Sequence, residues 1–248
     1  MTRKLLAALS LSSAMALPAA AFDISAMSEG EKAAFGEAVR EYLMANPEVL
    51  IESINVLEER QQAMEAQNDQ VLVETNAKDL FEDGYSWVGG NPEGDVTIVE
   101  FLDYKCGYCK KAYQEVEKLL ESDGNIRFIV KEFPILGEQS DLSSRFAVAV
   151  LQLAGPEAYE KTHNAMMAFR GDFTLESLSR LAKDQGLDAD ALLKRMNEEE
   201  VTAVLRANHQ LAERMRISGT PAFVIGGELM RGYVPVNVME KIVADQRG

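Results

Sequence analysis

Only two cysteines occur in 248 residues, and they stand as Cys106-Gly107-Tyr108-Cys109 between a strand-like apolar run and a helical pattern. That placement puts the first sulfur at a helix N-terminus, where free N–H groups and the helix dipole favour a thiolate. The second sulfur lies one turn further in, close enough to close a small disulfide ring. A zinc site and an inert structural bridge are the alternatives. Zinc needs two more Cys or His ligands, and the chain offers only His163 and His209, which read as surface or packing residues. A bridge across so short a loop adds little loop-closure stability.

The rest of the chain narrows the context. With 25 Lys+Arg against 40 Asp+Glu the net charge is −15, a balance that repels phosphate backbones and argues against nucleic acid as a partner. A composition 47% hydrophobic and 26% charged excludes wholesale disorder. Residues 1–21 begin with Arg3 and Lys4, continue apolar from Leu5 to Leu17, and carry small Ala19 and Ala21. This is the pattern of a secretory signal, too short for a spanning helix. It predicts an exported, soluble protein in a compartment that permits disulfide chemistry.

Residues 22–84 read as a helical arm. Ser28 with Glu31 signals a capping box, Phe35, Val39, Tyr42 and Leu43 keep helical spacing, and Asn46-Pro47 restarts the chain with Asn46 as N-cap. The absence of Pro and Gly from there to Glu82 predicts one helix of about 35 residues, roughly 50 Å long. Along it a four-three alternation joins Leu50, Ile54, Leu57, Gln61, Met64, Asn68, Val71 and Thr75. Polar residues in such a seam weaken a coiled coil but fix its register. Self-association is the favoured reading, since an isolated half-apolar helix has little else to bury against. A helix folded back on its own domain, or a mobile arm, is the alternative.

From residue 85 the pattern changes to strands at 85–88 and 96–104, a helix at 107–121 and a strand at 126–133. Strand–helix–strand of this length implies a parallel pair with a right-handed crossover. A helical block follows over 138–216, then a strand at 222–225, a hairpin return at 229–232 and a closing helix at 235–244. The expected organisation is signal 1–21, arm 22–84 and an α/β catalytic domain 85–248.

Two further features adjoin the cysteines. Glu100, six residues before Cys106, falls on the feeding strand, where alternation turns it inward beneath the helix carrying Cys109. A carboxyl buried there has a raised pKa and can relay a proton to the thiol; a solvent-facing edge glutamate is the alternative. Gly219-Thr220-Pro221 precedes the strand at 222–225, where proline is allowed, in either an ordinary trans or a deliberate cis bond.

Together the strand at 96–104, the Cys-Gly-Tyr-Cys quartet, the acid at minus six and Thr220-Pro221 resemble the thioredoxin superfamily. The helical block before Thr220-Pro221 and the run from Lys131 to Gly137 (Lys-Glu-Phe-Pro-Ile-Leu-Gly) resemble its DsbA-type branch of periplasmic disulfide oxidoreductases, over about residues 85–248. The N-terminal helices are similar to those of the ScsC-like subgroup, some of whose members trimerise and act as isomerases. The resemblance implies a thioredoxin-like fold with an inserted helical domain, a periplasmic location and a homo-oligomer, with a trimer favoured. It also implies a cis Thr220–Pro221 bond against the redox pair, which makes Thr220, Pro221, Gly107 and Tyr108 substrate contacts. Between its cysteines DsbA carries proline and histidine, whereas Gly107-Tyr108 matches the isomerase DsbC. Neutral Tyr108 supplies no cation to the Cys106 thiolate, so the disulfide should be less oxidising than in DsbA. Lys105, Lys110 and Lys111 would partly offset this, though exposed lysines are screened.

The expectation is a thiol:disulfide oxidoreductase acting on exported proteins as an isomerase or reductase, with no cofactor beyond the Cys106–Cys109 couple and no metal. Cys106 exchanges with the substrate, Cys109 resolves, Glu100 moves the proton, and a membrane redox partner recharges the pair. One alternative is a DsbA-like dithiol oxidase. An alternative of another class is a surface-interaction or copper-tolerance protein on the same scaffold. The 11 Met are scattered over helical faces, which reads as core filling.

Overall fold

The computed structural model describes residues 24–248; the expected signal at residues 1–21 lies outside them. The described residues fall into two compact units that divide between Glu59 and Arg60.

In the first unit, helix α1 (Glu29–Ala45) starts at the expected capping box, with Ser28 N–H donating to Glu31 Oε2 at 2.8 Å and Glu31 N–H returning to Ser28 Oγ. Asn46 closes this helix, its side-chain amide donating to the Tyr42 carbonyl at 2.9 Å. Its own carbonyl then receives the Val49 N–H as α2 (Glu48–Thr75) begins. No residue of α1 is buried, and Phe35, Val39, Tyr42, Leu50, Ile54 and Leu57 are all exposed.

Helix α2 continues into the second unit and stops short of the predicted 35 residues. Asn76 interrupts it: its amide donates to the Leu72 carbonyl while Arg214 Nε donates to its Oδ1 at 2.7 Å. A short helix α3 (Ala77–Phe81) follows. The arm expected at 22–84 therefore divides at Glu59–Arg60, because its last part belongs to the second unit's core. Val73 and Leu80 are buried there with Val99, Phe101 and Ile129. Asp69 takes a two-pronged hydrogen bond from Arg231 at 2.6 and 2.8 Å, and Lys131, fully buried, pairs with Asp83 at 2.5 Å. The buried positions of α2, Asp69 and Val73, lie off the apolar seam; Met64 and Val71 of the seam are exposed.

A five-stranded sheet organises this unit: β1 (Trp87–Gly90), β2 (Val96–Leu102), β3 (Ile126–Glu132), β4 (Ala222–Ile225) and β5 (Glu228–Arg231), in the order β1-β3-β2-β4-β5. β2 and β3 run parallel through helix α4 (Gly107–Asp123), as the crossover rule requires, and every other pair is antiparallel. β1 starts two residues later than predicted, because Asp83 Oδ1 accepts the Tyr85 and Ser86 N–H groups and holds them in a turn. Gly90 ends β1 with φ +63°, where an added Cβ would meet the Ile126 carbonyl oxygen at 2.4 Å.

Five helices, α5 (Glu138–Ala154), α6 (Pro156–Ala168), α7 (Leu175–Asp184), α8 (Ala189–Arg195) and α9 (Glu199–Arg214), form the insertion, and α10 (Val236–Arg247) closes the chain. Thr174 and Asp188 cap α7 and α8 as their spacing predicts. Alternation along β2 and β3 separates two cores. Ile98, Leu102, Phe128 and Val130 pack with α4, the insertion and α10, while Val99, Phe101 and Ile129 pack with α3 and the end of α9. Among the described residues no helix is long and apolar enough to cross a membrane.

Candidate active site

β2 delivers the chain to the head of α4 with Cys106 as its N-cap residue. Cys106 N–H donates to the Asp103 carbonyl at 3.0 Å, which tightens the strand-to-helix turn. Asp103 is itself fully buried. Its Oδ1 accepts the Lys105 N–H at 2.8 Å, and its Oδ2 accepts those of Ile135 and Leu136 at 2.9 and 3.1 Å. One carboxylate thus ties the loop after β3 to the turn that presents the cysteines.

The two thiols sit in contrasting environments. Cys106 is held down to a pKa of about 5, first by a hydrogen bond from the Cys109 thiol, then by the Thr220 side chain and the N–H groups of Cys109 and Tyr108 against an opposing cost of burial. As a thiol, its Sγ–H reaches the Thr220 carbonyl oxygen at 3.2 Å. Cys109 is fully buried, and its pKa is driven far up by burial, by its bond to Cys106 and by the charge of Glu100. The pair therefore comprises a ready nucleophile and a protected thiol that needs a base.

The flanking lysines do not crowd the nucleophile. Lys105 pairs with Asp172 at 3.4 Å, Lys110 donates to the Phe169 carbonyl and lies near the Phe173 ring, and Lys111 sits 4.0 Å from the centre of the Tyr233 ring. The Cys109 thiol, the Thr220 side chain and helix N–H groups thus take the part expected of a cation.

Glu100 lies on the inward face of β2, only 2% exposed, between Val130 on β3 and Phe223 on β4. Burial, then the charges of Cys106 and Glu132, push its pKa up to about 8, and its buried Oε1 receives no hydrogen bond. Its charge acts on the Cys109 thiol and raises that thiol's pKa. The Thr220–Pro221 bond is cis and leads directly into β4. Tyr108 is exposed, and an added Cβ at Gly107 would meet nothing within 4 Å, so the face between the cysteines is open. Cys106, Cys109, Glu100 and Thr220 are brought together; Tyr108 lines the open side.

Several residues of the site escaped the sequence reading. Glu132 is buried and accepts Tyr104 Oη at 2.8 Å, Tyr159 Oη at 2.6 Å and Ser144 Oγ at 2.8 Å. Since Tyr104 spends its proton on Glu132, its 3.0 Å contact with His163 makes Nδ1–H of the histidine the donor. His163 is buried against Trp87 and Tyr159, a packing role, and burial lowers its pKa to about 4. His209 packs on Phe133 with ring centres 4.8 Å apart. Strand alternation carries the signal for Glu132, which shares the inward face of β3 with Phe128 and Val130. The hydroxyls come from the turn after β2 and from helices α5 and α6, and leave no local trace.

The depressed Cys106 pKa has a measurable consequence. The thiol's ordinary value is 9.0 and its folded value about 5, so the folded state binds fewer protons between these limits. The stability of the reduced protein relative to the oxidised form, which has no thiol to titrate, should rise with pH from about 5 to about 9. Below 5 the contribution is lost; above 9 the raised Cys109 value works against the fold. Denaturant titrations of both forms across this window check it. A difference that stays flat or falls with pH contradicts the assignment, and Cys106→Ser should remove the slope.

Comparison with known proteins agrees with this geometry. Residues 97–244 match the DsbA-like thioredoxin domain, and residues 31–63 match the ScsC N-terminal domain, described as a copper resistance protein domain. A thioredoxin-like oxidoreductase from Silicibacter pomeroyi DSS-3 is 40% identical with a TM-score of 0.64, covering 68% of this chain and 96% of its own. Proteus mirabilis ScsC in a transitional conformation is 27% identical with a TM-score of 0.65, covering 90% of this chain and 98% of its own. A Na(+)/H(+) antiporter NhaA 1 from Salinispora arenicola is 26% identical over 157 residues, and the chain spans 24% of that protein's length. With a buried dithiol at the head of α4 beside a cis proline, and with its helical insertion and N-terminal helices, the chain belongs to the DsbA-like thioredoxin-domain family, in its ScsC-like subgroup.

Proposed function

We propose that the protein is a periplasmic thiol:disulfide oxidoreductase that isomerises or reduces disulfides in exported proteins. The observation that carries the reading is the asymmetric thiol pair: Cys106 low in pKa at the N-cap of α4, and Cys109 buried above Glu100. The Cys106 thiolate attacks a substrate disulfide, forming a mixed disulfide and releasing the other substrate sulfur as a thiolate. In isomerisation that thiolate attacks elsewhere in the client, and a client thiolate finally expels Cys106. In reduction Cys109 gives its proton to Glu100 and attacks Cys106, which closes the intramolecular disulfide and expels the remaining client sulfur as a thiolate. Thr220 and Pro221 hold the client backbone beside the sulfur, with Gly107 and Tyr108 on the open side. A membrane redox partner returns the pair to the dithiol.

The exposed apolar residues of α1 and α2 support a homo-oligomer, with a trimer favoured by the ScsC-like resemblance, which would set several active sites around one client. A dithiol oxidase is the second reading. The pKa of about 5 for Cys106 favours it, since a stabilised thiolate makes the disulfide more oxidising. Refolding of a scrambled multi-disulfide protein separates the two. Recovery of native pairing with slow oxidation of a reduced peptide is the isomerase result; no recovery alongside fast peptide oxidation refutes it.

A further inference from the structure

Glu100 and Glu132 are two buried carboxyls on one sheet face. β2 and β3 are parallel, with Glu100 opposite Val130 and Leu102 opposite Glu132, so the acids stand on neighbouring strands two positions apart. Their surroundings differ. Glu132 receives three hydroxyl protons, from Tyr104 on its first oxygen, Tyr159 on the same oxygen and Ser144 on the second. Glu100 has an Oε1 with no donor at all. Donors favour an ionised carboxylate, and burial without donors favours the acid. Like charges in one buried site do not both ionise readily. Burial raises both groups, Glu132 to about 7 and Glu100 to about 8, and the hydroxyl donors make Glu132 the first of the two to ionise.

We propose that Glu132 is a positioning residue for the redox step: its hydroxyl-held carboxylate keeps the proton on Glu100 and sets the pH at which Glu100 takes the proton of Cys109. The proposal rests on the reading of Glu100 as the proton carrier. In the step concerned, the Cys109 proton moves to a Glu100 carboxylate oxygen. The Cys109 electron pair forms the bond to Cys106, and the substrate sulfur leaves with the pair of the broken bond. The titratable groups facing Glu100 are Cys106 and Cys109 from α4, Glu132 from β3 and Tyr159 from α6. β4 contributes Phe223 opposite it. Those facing Glu132 are Tyr104, Tyr159 and Asp103, with His163 behind Tyr104. Glu132 is the one that is anchored to the insertion, through Ser144 of α5 and Tyr159 of α6. The helical block thereby reaches the chemistry of the sheet.

The test is the pH dependence of mixed-disulfide resolution by the full chain, followed by release of a fluorescent peptide thiol from Cys106. In the unsubstituted protein the rate rises with pH along a limb set by Glu100. Glu132→Gln removes the charge and should move that limb down by about one pH unit. Glu132→Asp, which keeps the charge, should move it less. Tyr159→Phe withdraws one donor and should move it in the same direction as Glu132→Gln by a smaller amount; it decides the matter if Glu132→Gln fails to fold. A loss of thermal stability with the limb unmoved in the folded variants makes Glu132 merely structural and overturns the proposal. Glu100→Gln is the control: if it leaves the limb in place, the reading of Glu100 fails instead.

Discussion

Cys106→Ser abolishes disulfide exchange, with a loss of at least about a thousandfold expected from removal of the attacking nucleophile. Cys109→Ser behaves differently. Cys106 keeps its place at the N-cap of α4 and still attacks, so a disulfide-containing client should accumulate as a covalent adduct visible on a non-reducing gel. The difference follows from burial. The Cys109 thiol lies wholly inside the first core, packed with Tyr104 and Ala112, where no client sulfur reaches it. Its own contribution to the low Cys106 pKa is the largest. A serine hydroxyl is no weaker a donor than a thiol, so Cys109→Ser should keep its attack rate near neutral pH. Equal loss in both variants, with no adduct, would show that the two sulfurs do not divide the work in this way.

The full chain should sediment as the proposed homo-oligomer, and deletion through Glu59 should give a folded monomer. It should keep peptide-level dithiol chemistry while losing most isomerase activity on a scrambled client. The cut point matters. Residues 60–84 supply Val73 and Leu80 to the second core, Asp69 to Arg231 and Asp83 to buried Lys131. A deletion through Leu80 empties part of that core, and loss of one such buried aliphatic side chain costs roughly 2–5 kcal/mol. This longer deletion should therefore be strongly destabilised, which circular dichroism and thermal melts would reveal. A protein of unchanged mass after the shorter deletion would refute assembly through the N-terminal helices.

The boundary between arm and catalytic unit shows where sequence reading stops. The seam from Leu50 to Thr75 was visible as a four-three alternation, and its apolar members are exposed in the single chain. The packing of α2 residues 69 and 73 was not visible, because Arg231 and Leu229, their partners, lie about 160 positions away in sequence. The break at Asn76 has the same origin: Arg214 Nε engages its side chain from the end of α9. Local signals fared better. The caps at Ser28, Thr174 and Asp188 act within a few residues, and the parallel β2–β3 pair follows from chain geometry.

The same division holds at the site. Cys106, Cys109 and Glu100 are spaced along one strand–turn–helix segment, so their meeting could be read from periodicity. The lysines could not: Lys110 and Lys111 are drawn to aromatic rings of other elements, and the Cys109 thiol, Thr220 and helix N–H groups take their part. Asp103 and Glu132 were also missed. A carboxylate between apolar strand residues reads as an edge or an end until the donors that hold it are placed. Those donors are backbone N–H groups of residues 105, 135 and 136 for Asp103, and hydroxyls from the turn after β2, α5 and α6 for Glu132.

With Cys106 held at about 5 and Cys109 driven far up, one sulfur of the pair is a ready thiolate while the other is a buried thiol. Titration of thiolate ultraviolet absorbance in the reduced protein tests it most directly. A single ionisation is expected with a midpoint near 5, from the value of about 5 for Cys106. That transition should vanish in Cys106→Ser, and no second thiolate should appear before the protein unfolds in alkali. A midpoint near the ordinary 9.0, or two thiolates forming together, would contradict it.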